Sequence, residues 1–300
     1  MNFNKIIIWG YKPPMKHTHH SIHYAFNKAF KALGHNVLWL DDNDDVSNLN
    51  FDHCLFFTEG QVDKNIPINK SSKYILHNCN GEKYADISIQ NKLIIQFFHK
   101  DVLNYNLQKI NEYTYFGDHT LYQPWATDLL PHEIDLNQAK NEMSIKECVW
   151  VGSYHPTDRT EFENNTQLDP FFNECKKHGI NLKHIDPWTR PVSFEENKKL
   201  INSAYLAPAI VGAFQKRTYY ISCRIFKNIS YGHLGITNSE FVNKIFNNDL
   251  IYDSDPAALF YKAIDKKNDV KCIKYIQDLM QEVKDKHTFI NRANQILELI

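Results

Sequence analysis

Two clusters in this 300-residue sequence carry side chains able to do chemistry. The first is rich in histidine: His17, His19, His20 and His23 stand close together, just after Lys12-Pro13-Pro14. Imidazole titrates near neutral pH, so a histidine placed there can act as general base toward a hydroxyl. His19 and His23 lie one helical turn apart, a spacing that can also hold zinc. The second cluster is basic. QKRTYYISCR, residues 215–224, gathers Lys216, Arg217 and Arg224 around the start of an expected helix, with Lys227 one turn further on. Arginine and lysine at a helix start neutralise phosphate without a metal. The plainer reading of each cluster is a solvated loop and ordinary surface ion pairs.

The elements that must position these residues follow from hydrophobic spacing. Lys5–Trp9 is a short apolar run, Ser21–Leu33 repeats apolar residues at helical spacing, Gly34 closes that helix, and Asn36–Leu40 is apolar again. That order is the βαβ unit of a parallel sheet. Further strands are expected at 53–58, 73–76, 92–97 and 114–116. A second alternation begins at Cys148–Gly152, with helices at 170–178, 194–203, 220–231, 239–246 and 256–265. Between them lie strands at 181–185, 205–210, 235–238 and 250–252. Asp255 and Pro256 supply a cap and a first helical residue. The fold class expected is therefore α/β, with two Rossmann-like domains facing across a cleft. Residues 1–130 form the first domain, 131–147 a linker, 148–275 the second, and 276–300 a helical segment. Ligands of open parallel sheets sit at the carboxyl ends of the strands, where strand order reverses.

Composition narrows the partners. Lys and Arg number 34 against 35 Asp and Glu, a net charge of −1. That argues against coating nucleic acid by bulk electrostatics, although a local basic groove survives it. The ten glycines are scattered singly, so no glycine-rich phosphate loop is expected. The six cysteines contain no CxxC pair, which suits a reduced, cytoplasmic protein. No stretch approaches the roughly 20 apolar residues of a membrane helix, leaving only peripheral membrane contact.

The segment Cys223–Ile264 resembles the C-terminal half of group-1 glycosyltransferases, above all the subgroup related to spore-maturation glycosyltransferases. Arg224, Phe226, Gly232, Gly235, Tyr252, Asp253 and Asp255 fall in that family's order. VWVGSYHPTDR, 149–159, is similar to its first donor-domain strand and loop, and YQPWATD, 122–128, to the segment before its linker. The resemblance implies a GT-B architecture and transfer of a sugar from a nucleotide-sugar donor to a hydroxyl of a glycan or lipid-linked acceptor. No metal or other cofactor is expected. Gly152, Ser153, Arg159, Lys216, Arg217, Arg224 and Lys227 would face the donor. His19 and His20 are the catalytic candidates, with His17, His23, Glu59 and His77 on the acceptor side. The chain departs from the pattern at Lys227, where the family has a ribose-binding Glu, and at Tyr219, where it has an earlier Glu. A lysine cannot accept the ribose hydroxyl bonds a carboxylate accepts. A nucleotide-sugar epimerase, a DNA-modifying glycosyltransferase and a non-catalytic nucleotide-sugar-binding protein are the alternatives.

Overall fold

The computed structural model describes residues 3–10, 12, 18–59, 66–77, 92–96, 114–115, 120–141, 146–154 and 164–300. The chain divides into two compact units, Met1–Asp128 with Phe289–Ile300, and Leu129–Thr288. Among the described residues no helix is long and apolar enough to cross a membrane.

The first unit is built on strands β1 (Lys5–Trp9), β2 (Val37–Leu40), β3 (Cys54–Glu59), β4 (Lys73–His77), β5 (Lys92–Gln96), β6 (Thr114–Tyr115) and β7 (Thr120–Tyr122). They form one sheet in the order β2-β1-β3-β4-β5-β7-β6, parallel except for β6. β1 pairs with β2 (Ile6 opposite Val37) and with β3 (Lys5 opposite Cys54), so Ile6, Ile7 and Ile8 are covered on both faces. Helix α1 (Thr18–Ala32) buries Ile22, Ala25, Phe26, Ala29 and Phe30. It stops at Gly34, whose φ of +85° is readily reached only by glycine. The sheet order reverses between β1 and β3, where the ligand crevice of such a sheet opens.

The second unit contains β8 (Glu147–Val151), β9 (Asn181–Ile185), β10 (Ile236–Thr237) and β11 (Ile251–Tyr252). β8 pairs with β9, and β10 with β11, both in parallel. The expected strand at 205–210 forms a single parallel bridge, Cys148 to Leu206, because Pro208 has no N–H to continue a ladder. That segment nonetheless joins the pairs: Val149 N–H donates to Leu206 O (2.9 Å) and Ala209 N–H to Ile236 O (2.8 Å). The resulting order, β9-β8-(205–210)-β10-β11, again reverses beside the first strand. The helices are α2 (Asn165–Lys177), α3 (Phe194–Ser203), α4 (Ala213–Arg217), α5 (Cys223–Ser230), α6 (Glu240–Ile245), α7 (Pro256–Lys267) and α8 (Cys272–Lys286). Trp150, Phe171, Phe226, Phe260 and Met280 anchor the core.

Four expectations are corrected. The helix expected at 220–231 is α5, which begins only at Cys223, and a short helix not expected, α4, precedes it, with Tyr219 at φ +55° turning the chain between the two. Helix α2 begins at Asn165 and carries Pro170 inside it rather than at its start. The described residues of 131–147 are no free linker. They make short 3-10 turns at Pro131–Glu133 and Leu136–Gln138, bury Ile134 and Ala139, and fold within the second unit. The last helix, α9 (Phe289–Leu299), belongs instead to the first unit. Its Phe289 ring meets Phe26 of α1 at 4.8 Å, and its buried Arg292 donates from Nε to Pro124 O at 2.9 Å.

Gly232 fixes how the 131–147 segment packs. A Cβ there would lie 2.3 Å from Gln138 O, a backbone atom, and φ is +89°. Gly34 also has positive φ but open space around it. Gly34→Ala should therefore lose about 1–2 kcal/mol from backbone strain alone, and Gly232→Ala clearly more, read as the larger fall in Tm.

His233, next in sequence, is buried, and its Nε2–H donates to Ala204 O at 3.2 Å. Burial, with Lys267 nearby, depresses its pKa to about 4. The unfolded chain then binds a proton that the folded chain refuses. This histidine's contribution is complete above its unfolded pKa of about 6.5 and falls as pH drops toward 4. His233→Gln, which keeps an N–H donor, should flatten the loss of stability across that window, a loss on the order of 3 kcal/mol. Urea melts at successive pH values measure it.

Candidate functional site

The carboxyl end of β8 holds Arg224, one of the basic residues singled out in the second half. Trp150 is buried in the core, and the Arg224 guanidinium lies over its ring, 3.8 Å from the centroid. Arg224 Nε and Nη2 donate to Val151 O at 3.3 and 3.2 Å. Gly152 follows at φ +155°, and a Cβ there would lie 2.1 Å from Arg224 Nη2, so any other residue would displace the guanidinium. Burial lowers the Arg224 pKa from the usual arginine range, with Cys223 and Tyr220 opposing it. The guanidinium stays charged, because arginine's intrinsic pKa leaves ample margin. Among the described residues no carboxylate pairs with it. It is a fixed, half-buried cation with N–H groups still to offer.

The strip after β8 is held carbonyl by carbonyl. Gly152 N–H donates to Ile185 O (3.0 Å), His184 Nε2–H donates to Gly152 O (2.9 Å), and Asn164 Nδ2 donates to Ser153 O (3.0 Å). Tyr154 OH donates to Asp169 at 2.8 Å, which together with burial raises the phenol's pKa. Across the sheet reversal, Asn238 mimics a backbone strand for Val211. Its Oδ1 accepts from Val211 N–H (2.8 Å) and its Nδ2 donates to Val211 O (3.0 Å).

Lys216, on α4, donates to Gln167 Oε1 (2.8 Å) and Ser254 O (3.3 Å), both neutral acceptors. Burial lowers its pKa. Gln167 Oε1 also accepts from Asn238 at 3.2 Å, which ties Lys216 to the Val211 segment. Arg217 is exposed at the end of α4. Lys227 is buried on α5 with its Nζ 5.4 Å from the centre of the Phe194 ring, so its surroundings differ from those of Arg224. Arg159 lies outside the described residues. Asp253 pairs with Lys262 at 2.8 Å, which holds its carboxyl below the usual range, while Asp255 caps α7. A cavity of about 510 Å³ opens beside the strip, between α2 and β9, lined among others by Tyr154, Asp169, Lys176 and His184.

In the first unit, α1 starts at Thr18, His20 is buried, and His23 and His77 meet at 2.8 Å. His17 lies outside the described residues, and His19 and Glu59 are described through their backbone only. Among the described residues no group of three or more His, Cys, Asp or Glu side chains could hold a metal ion. Reading the sequence missed Trp150, Gln167, His184 and Asn238. The only signal for Trp150 was its place before a glycine at a strand end.

Two parallel-sheet units of this kind make an α/β fold of the GT-B type. An α-glucosyltransferase solved in complex with UDP superposes with a TM-score of 0.62 at 10% identity, over 97% of this chain and 98% of that one. An α-glucosyltransferase in complex with UDP and a 13-mer DNA containing a HMU base gives a TM-score of 0.59, also at 10% identity, over 98% and 99%. No family model and no curated protein sequence matches the chain. At such identity the likeness is one of fold.

The Gly152–Arg224 approach can be tested by a double-mutant cycle. Gly152→Ala should cost about 1–3 kcal/mol in urea denaturation by displacing the guanidinium. In an Arg224→Ala background the same change should cost about 1 kcal/mol less, the coupling expected of residues in contact.

Proposed function

We propose that the chain is a glycosyltransferase that takes a sugar from a nucleoside-diphosphate donor bound at the carboxyl end of β8. The observation that carries this reading is the Arg224 cation, laid over Trp150 without a carboxylate partner among the described residues, in a fold shared with UDP-bound transferases. Cleaving a glycosyl–phosphate bond puts negative charge on the leaving diphosphate. A preorganised guanidinium, with Lys216 and Arg217 nearby in sequence, stabilises that charge as it forms. Gly152 and Ser153 let the donor approach the backbone, and no metal is required. Arg159 is proposed for the same site from its sequence alone.

The narrower likeness to spore-maturation transferases supports the same donor side. With Lys227 and Tyr219 at the two glutamate positions, the ribose is held in another way than that family's. For the acceptor, the neighbour solved with HMU-containing DNA favours a hydroxyl on a modified DNA base. A glycan or lipid-linked hydroxyl is the second reading, since a net charge of −1 gives no bulk affinity for DNA.

The test is a transfer assay with a panel of radiolabelled nucleotide sugars, offered HMU-containing DNA and glycan acceptors, with and without EDTA. The expected result is labelled acceptor, unchanged by EDTA, with kcat/KM falling at least about 100-fold in Arg224→Ala. A free epimerised sugar nucleotide would instead support the epimerase alternative. No turnover with tight nucleotide binding would leave a binding protein.

A further inference from the structure

The first unit holds a pair of buried imidazoles that the donor site does not use. His23 Nδ1 is 2.8 Å from Gly10 O, and His23 Nε2 is 2.8 Å from His77 Nε2. Both rings are 0% exposed. Proton positions follow from the partners. A carbonyl only accepts, so His23 Nδ1 carries the proton. With both rings neutral, the form burial favours, His23 has a bare Nε2, so His77 donates Nε2–H to it and keeps its lone pair at Nδ1. Packing fixes both planes. Phe57 stacks on His77 with centroids 4.9 Å apart, Trp125 meets His77 edge-on at 5.7 Å, and Trp39 meets His23 edge-on at 6.5 Å.

The bonds end on the peptide where the chain leaves β1. Gly10 has φ +96°; its N–H donates to Leu40 O (2.7 Å), and its carbonyl accepts from both Trp39 Nε1 (2.8 Å) and His23. Gly10 stands at the sheet reversal between β1 and β3, where this unit's crevice opens. Packing alone gives no reason for imidazoles at these positions. Apolar rings would fill the space without the cost of burying polar nitrogens.

We propose that His23 and His77 are positioning residues: a single-tautomer pair that aims the Gly10 carbonyl and sets where the chain departs from β1 for the transfer reaction. The inference rests on the glycosyltransferase reading. The donated proton of His77 Nε2, rather than the bulk of its ring, is the element that matters.

The test has two arms. Nitrogen-15 NMR of the histidine rings reads the tautomers without any activity, and the expected spectrum has His23 protonated at Nδ1 and His77 at Nε2. A His77 bare at Nε2 overturns the proposal. The second arm compares His77→Phe, which keeps a ring but no donor, with His77→Gln, whose amide N–H reaches the place of Nε2–H. Both should melt near the wild-type temperature. His77→Phe should lower kcat about 100-fold with the donor KM within about threefold, the mark of lost alignment. His77→Gln should restore kcat to within about fivefold. Wild-type kcat in His77→Phe, or equal impairment in both variants, overturns the proposal. If His77→Phe does not fold, the NMR spectrum and the His77→Gln kcat decide. Wild-type protein that transfers from no donor overturns the glycosyltransferase reading, and the NMR arm then decides the pair by itself.

Discussion

The second unit turns on one contact, the Arg224 guanidinium laid on Trp150 and bonded to Val151 O. A cation over an aromatic face gains about 0.5–2 kcal/mol, while a half-buried charge with no opposite charge gives up part of its hydration. On the proposed reading, an anion arriving at the strand end supplies the opposite charge. Gly152 leaves room for the guanidinium, and the bonds from His184, Asn164 and Asn238 hold the surrounding backbone so that the cation need not reorganise.

The sheet topology explains why that contact stands where a ligand can reach it. Strand order reverses beside β8, so the peptides after Val151 and Val211 are not covered by a crossover between them. The same reversal beside β1 in the first unit leaves Gly10 at an opening, held by a network made almost wholly of buried rings. Two units of like topology thus solve the same problem differently. One presents a charge, the other a fixed backbone turn.

Much of the framework was legible from residue spacing. Lys5–Trp9, Asn181–Ile185 and Phe194–Ser203 stand where hydrophobic spacing and the flanking residues put them. The departures have local causes. Pro208 breaks the ladder of an otherwise good strand, Tyr219 in a left-handed turn separates α5 from a short helix before it, and Pro170 sits inside a helix it was expected to begin. The placement of α9 could not be read, since nothing in Phe289 or Arg292 names the distant Phe26 and Pro124 that receive them. At the candidate site, Arg224 and Gly152 were legible as types, and His23 and His77 as polar residues near strand ends. Their partners were not: Trp150 lies 74 positions before Arg224, and His77 54 after His23, and only the folded sheet brings such residues together.

On the proposed reading, Arg224 binds the diphosphate of a nucleotide. The most direct measurement is calorimetric titration of UDP, UMP and uridine into wild-type protein and Arg224→Met. Wild-type affinity should rise from uridine to UDP, and Arg224→Met should weaken UDP by about 10- to 100-fold, the 1.5–3 kcal/mol of a charge-assisted bond, while leaving uridine unchanged. Equal UDP affinity in the two proteins would contradict it.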